Sequence, residues 1–553
     1  MTRTEPAGTS LGDGFHLYDT TLRDGAQREG ISYSVADKLA VARLLDELGV
    51  GYIEGGWPGA MPKDTEFFAK AAAGELTLKH AVLVAFGSTR KPGTTAARDE
   101  QVRALLDART PVITLVAKSD RRHIERALRV DVDEACAMVR DTVSLLVGEG
   151  RRVFLDAEHF FDGYAFDPDT SLRVLDAAAG AGADVLVLCD TNGGQLPLGL
   201  AETVREVAER TGHRLGIHCQ DDTSCAVANT IAAVQAGVTH VQCTANGYGE
   251  RAGNADLFAV AANLVTKLGM DVLPAGGSAE LTRVSHAVAE IANIAPDAHK
   301  AYVGGSAFAH KAGLHASAIK VDPLLYNHID PAVVGNEMRV LVTEMAGRAS
   351  LELKGRELGV DLAGRPEALT SAVREVKRLE ARGWSFEAAD ASLELLLRRE
   401  VDGPEGELDE PPFTLESYRV VLDHRLDGEI VSEATVKVHV NGHRVIATAE
   451  GNGPVHALDA ALREALTPHL PWLGRVELAD YKVRILSPGA ETDAYGHPGT
   501  DAVTRVLVES SDGEREWTTV GVHANIVEAS WLALCDALVH KSLRATGGAE
   551  VSR

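Results

Sequence analysis

From Phe15 to about Leu268 the chain alternates short, almost continuously apolar runs with stretches of helical period. The runs are HLYDTT from His16, VGYIEGG from Val50, HAVLVAF from His80, PVITLVA from Pro111, RVFLDA from Arg152, DVLVLCD from Asp184, RLGIHC from Arg214 and THVQCTA from Thr239. Unbroken apolar strands are what a parallel sheet covered on both faces requires. Between them lie amphipathic segments such as SVADKLAVARLLDELG, where Ser34 and Asp37 suit an N-cap and capping box and Gly49 suits the position just past the helix end. Eight strand–helix units over 15–278 predict an α/β fold, a (β/α)8 TIM barrel of about 250 residues with its chemistry at the strand C-terminal ends. Polar residues cluster there: Arg23 and Asp24, Glu54, Asp156 and Glu158, Asp190 and Thr191, His218 to Asp222, and Asn246 to Asn254.

The pattern changes twice further on. Residues 279–411 read as helices and loops that carry FAHKAGLHASAIK, then a helical connector with REVKRLEARG and FEAADASLELLLRRE. The acidic, Pro-containing DGPEGELDEPP from Asp402 reads as a linker. Beyond Phe413 the period becomes strict alternation, as in YRVVLDHR, EATVKVHV and HRVIATAE. Over 412–545 two weakly similar units each run through several strands to an amphipathic helix, an α+β repeat pair suited to a small ligand or a sister subunit. Residues 1–14 read as a flexible start and 546–553 as a tail.

Composition narrows the function. With 45% apolar and 24% charged residues the chain is an ordinary globular protein. Its 55 basic against 80 acidic residues give a net charge of −25. That argues against nucleic acid or an anionic membrane as partner. An anionic substrate must therefore be held by local cations or backbone N–H groups. The six cysteines contain no C-x-x-C pair, so neither a disulfide framework nor a zinc knuckle is expected, and a reducing, cytoplasmic setting is. No signal sequence and no membrane span are expected.

The sharpest motif is DTTLRDGAQREG from Asp19, followed by HCQDD on the seventh run and NGYGERAGN after the eighth. Together these resemble the metal-dependent Claisen-condensing synthases built on a (β/α)8 barrel, namely the isopropylmalate, homocitrate and citramalate synthases, relatives of the hydroxymethylglutaryl-CoA lyases. YIEGGWPGAMPKDTEFF, DAEHFFDGY and HIDPAVVGNEMRVLVTEMAGR are most similar to the citramalate synthase branch with a C-terminal regulatory domain. The resemblance runs from about His16 to Leu543.

It implies a divalent metal held by Asp24, His218, Gln220 and Asn254. In the family the position of Gln220 is a second histidine, alternate strand residues facing the same way. Glutamine is a neutral oxygen donor, so the set favours Mg²⁺ or Mn²⁺ and admits Zn²⁺; the contrary reading is a decayed site. Asp221 or Asp222 is the candidate to hold His218 in its ligating tautomer. Arg23 matches the arginine that stabilises charge on the ketone oxygen. Gln27 either binds the 2-oxo acid or caps the turn, and Thr191 either holds the substrate carboxylate or caps a helix. Asp156 or Glu158 on strand 5 and His315 in KAGLHA are the proton-transfer candidates. Tyr326 accompanies that histidine unless it is core, Glu250 lies near the centre unless it starts a helix, and His310 reads as structural. The implied reaction joins acetyl-CoA to pyruvate and hydrolyses the thioester to citramalate and CoA, leading towards isoleucine. The resemblance also implies a homodimer with isoleucine as inhibitor. Alternatives are an isopropylmalate or homocitrate synthase, a lyase, or an inactive amino-acid sensor.

Overall fold

In the computed structural model, which describes residues 14–403, 411–426, 428–486 and 502–547, all eight apolar runs are strands. The expected N-terminal segment, most of the acidic linker and the tail at 548–553 lie outside the described residues. The strands are β1 (His16–Asp19), β2 (Tyr52–Glu54), β3 (Val82–Ser88), β4 (Val112–Lys118), β5 (Arg152–Glu158), β6 (Val185–Asp190), β7 (Leu215–Cys219) and β8 (His240–Cys243). Each pairs in parallel with the next, and β1 closes on β8 with His16 opposite His240 and Asp19 opposite Cys243.

Each strand leads to a covering helix: α1 (Val35–Leu48), α2 (Pro62–Ala72), α3 (Glu100–Asp107), α4 (Val132–Gly148), α5 (Pro168–Gly180), α6 (Pro197–Thr211), α7 (Ala226–Gln235) and α8 (Leu257–Leu268). α1 begins with the full capping box of Ser34 and Asp37 and ends at Gly49 with φ 93°. Apolar side chains facing outward from the strands meet the helices in one continuous core, to which α1 contributes Val41, Leu45 and Leu48 and α2 contributes Phe67 and Phe68. Inside the barrel the rings of His16, Tyr18, Tyr52, Phe154 and His240 pack at centroid distances between 4.8 and 6.2 Å. They fill the lumen and give the site above them a dry floor.

The chain divides into two units, Met1–Phe308 with Ile329–Glu337, and Ala309–His328 with Met338–Arg553. The first adds α9 (Leu281–Ile291) to the barrel. The second holds a two-strand ladder, β9 (Ala309–His310) with β10 (Arg339–Val340), and the helices α10 (Gly313–Ile319), α11 (Arg348–Glu357), α12 (Pro366–Glu380) and α13 (Asp390–Asp402). It then repeats one motif. β11 (Phe413–His424), β12 (Ile430–Val440) and β13 (His443–Gly451) form an antiparallel sheet followed by α14 (Pro454–Leu466). β14 (Glu477–Ile485), β15 (Thr504–Ser511) and β16 (Glu516–His523) form another, followed by α15 (Ile526–Gly547). The alternation is physical. Ala434, Val436, Val438 and Val440 of β12 are buried, and Val506 and Val508 of β15 repeat the device.

A buried ion pair secures the loop after β2. Lys38 of α1 pairs with Asp64 of α2, and the other Asp64 oxygen accepts the Trp57 N–H at 2.8 Å. Breaking such a pair from one side strands a charge, at about 3–5 kcal/mol. Lys38→Met is expected to lower barrel stability by about that amount in urea unfolding, and adding Asp64→Asn should recover much of it. Equal stability of Lys38→Met and the parent would contradict this.

Candidate active site

The C-terminal ends of the strands enclose a cavity of about 480 Å³ whose wall includes Arg23, Asp24, Gln27, Asp156, Glu158, Thr191, His218, Gln220 and Glu250. Arg23 and Asp24 are aimed by a tight turn directly after β1, in which the N–H groups of both bond to Thr20 O at 3.1 and 2.9 Å. Asp19 anchors that turn by accepting from the Thr21 N–H and hydroxyl at 2.9 and 2.7 Å. A short 3-10 helix then carries the exposed Gln27 to the rim.

Charge is densest over the floor. Arg23 Nε donates to Glu54 Oε1 at 2.6 Å, its Nη1 lies 3.5 Å from Asp24, and its guanidinium covers the Phe86 ring at 3.9 Å. The fully buried Glu54 is held in turn by the Tyr18 hydroxyl at 2.5 Å. Burial pushes Asp24 up, but Arg23 and His218 outweigh it and hold the carboxyl well below the usual carboxylate range. Burial would likewise lower His218, yet Asp24, 3.2 Å from its Nε2, carries it above the ordinary histidine value.

Gln220 and Asn254 face each other across an isolated antiparallel bridge, and both are buried. Gln220 Nε2 is 3.5 Å from His218 Nε2, and Asn254 Nδ2 donates to Tyr248 O at 2.9 Å. The carbonyl oxygens Gln220 Oε1 and Asn254 Oδ1 have no hydrogen-bond partner although both are shut away from solvent. A buried acceptor left unpaired costs about 1–3 kcal/mol, and two such oxygen donors, on residues that contact one imidazole and one carboxylate, make a donor set that fits a hard cation. The loop that presents Asn254 depends on Gly249, where φ is 156° and a Cβ would stand 2.1 Å from Asn254 Nδ2.

Asp156 and Glu158 project to the same side of β5, two residues apart. Asp156 is buried and accepts from Gln242 Nε2 at 2.8 Å. Burial, with Glu54 next in effect, pushes it up to about 7. Glu158 is partly open to the cavity and paired with Lys118. Glu250 is exposed at the rim, 3.9 Å from Arg251.

Three expectations change. His218 Nδ1 meets Gln242 Oε1 at 2.8 Å, so neither Asp221 nor Asp222 orients it. Asp221 is turned to accept the Ala226 N–H at the start of α7, and Asp222 is taken by Arg251 at 2.8 Å. Thr191 caps no helix: its hydroxyl accepts the His159 N–H at 2.8 Å, and α6 begins only at Pro197. Tyr326 is not core, being 41% exposed. His315 and Tyr326 belong to the second unit, where their rings stack at 4.1 Å. His310 there donates from Nε2 to Asn327 Oδ1 at 2.8 Å, a structural contact.

Glu54 and Gln242 escaped assignment from the sequence. Each had a signal, a polar side chain within an otherwise apolar strand, but its partner is set by the register of neighbouring strands.

Asp156 ionises more readily in the unfolded chain than when folded, so it costs stability as pH rises from about 4 through 7 and nothing below. Asp156→Asn should match the parent near pH 4 and exceed it above pH 7, by about 4 kcal/mol at most, in urea unfolding with EDTA present. A difference independent of pH would contradict the burial argument.

An HMGL-like family model matches residues 14–288, a homocitrate synthase post-HMGL domain-like model 302–383, and a LeuA allosteric (dimerisation) domain model 387–541. The chain is 60% identical to an (R)-citramalate synthase of Streptomyces coelicolor, over 98% of each chain. It is 45% identical to one of Aquifex aeolicus, over 96% of this chain and 98% of that one. Identity falls to 28% against a 2-isopropylmalate synthase of Methanocaldococcus jannaschii, over 96% and 95%. With its closed eight-stranded barrel and its C-terminal repeats, the chain belongs to the HMGL-like family and, within it, to the (R)-citramalate synthases.

Proposed function

We propose that this chain joins acetyl-CoA to pyruvate and hydrolyses the product thioester, releasing citramalate and CoA. The observation that carries the substrate is the 60% identity over 98% of the chain to an (R)-citramalate synthase, against 28% to a 2-isopropylmalate synthase. The reaction needs three things of the protein: a grip on a 2-oxo acid, a base for a methyl proton and a second proton relay for the hydrolysis.

Asp24, His218, Gln220 and Asn254 would hold a divalent cation, and the two orphaned carbonyl oxygens support that reading. When bound, the cation polarises the ketone and offsets the charge that grows on its oxygen. Three oxygen donors and one imidazole favour Mg²⁺ or Mn²⁺ over Zn²⁺. Arg23 is fixed by Glu54 and Phe86 and needs no reorganisation to stabilise the same oxygen, the condition under which electrostatic catalysis is strongest. Thr191 and Gln27 are assigned to the substrate carboxylate and Glu250 to the rim of the centre.

Glu158 is the better of the two strand-5 carboxylates for proton transfer, because it is the one partly open to the cavity; Asp156 is enclosed and works within the floor network. Removal of the thioester methyl proton gives an enolate, whose carbon attacks C2 of pyruvate, and the resulting alkoxide takes up a proton. Water then attacks the thioester carbonyl and CoA leaves as the protonated thiol. His315, with Tyr326 stacked against it, is assigned the relay for this half. The C-terminal repeats are assigned to a homodimer with isoleucine as the effector.

The test is CoA release by metal-stripped protein given acetyl-CoA with pyruvate, 2-oxobutyrate, 2-oxoisovalerate or 2-oxoglutarate, each with Mg²⁺, Mn²⁺ or Zn²⁺. Release should be strongest with pyruvate and should return with Mg²⁺ or Mn²⁺. Removing the Arg23 guanidinium by Arg23→Met should cost kcat about 100- to 1,000-fold. Strongest release with 2-oxoisovalerate or 2-oxoglutarate would overturn the substrate, and no release with any pair would favour the inactive-sensor reading.

A further inference from the structure

We infer that Gln242 is a positioning residue whose single amide sets how His218 faces the cation site. The inference rests on the reading of His218 as a cation ligand. Gln242 lies directly opposite His218 in the β7–β8 ladder, so their side chains leave adjacent strands on the same inward side. It is 1% exposed and spends both ends of its amide. Nε2 donates to Asp156 Oδ1 at 2.8 Å, and Oε1 lies 2.8 Å from His218 Nδ1.

The order of these contacts matters. Asp156 Oδ1 takes the NH₂ edge of the amide, which leaves the oxygen edge turned toward His218. An oxygen at Nδ1 requires the imidazole proton there. With Nδ1 engaged in this way, Nε2 is the nitrogen left to the cation site: it lies 3.2 Å from Asp24, and a cation held there would take the place of the proton it shares with that carboxylate. Through Gln242, Asp156 thus fixes which nitrogen of a histidine it does not touch is left to the cation. Asparagine in place of Gln242 would be too short to span both contacts. A leucine or methionine would fill the volume but leave His218 free to place its proton on either nitrogen. Partners of this kind typically govern metal affinity by about 10- to 100-fold.

The experiment is Mn²⁺ titration followed by electron paramagnetic resonance on full-length parent, Gln242→Met, Gln242→Glu and His218→Ala proteins, with thermal melting alongside. Gln242→Met should bind Mn²⁺ about 10- to 100-fold more weakly than the parent. Gln242→Glu still accepts from His218 and should return to within about threefold of the parent. A purely structural role predicts the reverse order, because an added buried charge disturbs the floor more than a thioether does. Parent-like binding by Gln242→Met, or a loss in Gln242→Glu as large as in Gln242→Met, would overturn the inference. If Gln242→Met does not fold, Gln242→Glu decides alone: near-parental affinity is expected and a 100-fold loss contradicts. His218→Ala separates the two levels. Should it bind like the parent, the cation-ligand reading itself fails; should it lose Mn²⁺ while Gln242→Met does not, only the role of Gln242 fails.

Discussion

Arg23 stands between two carboxylates, Glu54 at 2.6 Å and Asp24 at 3.5 Å, with the Phe86 ring covering its face. Charges this deep are tolerated only when each has a partner, since the desolvation cost of an unpaired ion exceeds what packing returns. Much of the barrel mouth follows from that requirement. Glu54 needs the Tyr18 hydroxyl, which is itself set by the aromatic floor. Asp24 needs His218, and His218 needs an acceptor on its far side, supplied by Gln242. Strands β1, β2, β5, β7 and β8 are therefore tied together by charge and hydrogen bonds as well as by their ladders. The result is a fixed electrostatic surface whose dipoles need not rearrange when negative charge appears on a substrate oxygen.

The barrel was legible in the sequence because burial on both faces writes itself as unbroken apolar runs, and helix ends write themselves as Ser34, Asp37 and Gly49. Arg23 and Asp24 were legible because neighbours in one motif share one turn. Gln242 and Glu54 were not assigned, since what they do depends on which residue stands opposite on the adjacent strand. Asp221 and Asp222 show the converse error. Their charge and closeness to His218 suggested a partner, but a helix start and Arg251 claim them. The repeat pair was readable from alternation alone, down to the burial of every second residue in β12 and β15.

Gln220 is the residue on which the chemistry turns. Where the family resemblance calls for a second imidazole, this chain places an amide whose oxygen, like that of Asn254, is buried and has no hydrogen-bond partner. One nitrogen and several oxygens make a harder site than two imidazoles would, and they lower the affinity for soft metals more than for Mg²⁺ or Mn²⁺. If Gln220 is a ligand as proposed, the departure would shift metal preference and leave the remaining ligand set unchanged.

The most direct measurement is anomalous diffraction from a crystal grown with Mn²⁺ and pyruvate. The account predicts one strong peak at the barrel mouth, coordinated by Asp24, His218 and the side-chain oxygen of Gln220. A peak that leaves Gln220 out of coordination, or no peak at that mouth, would contradict it.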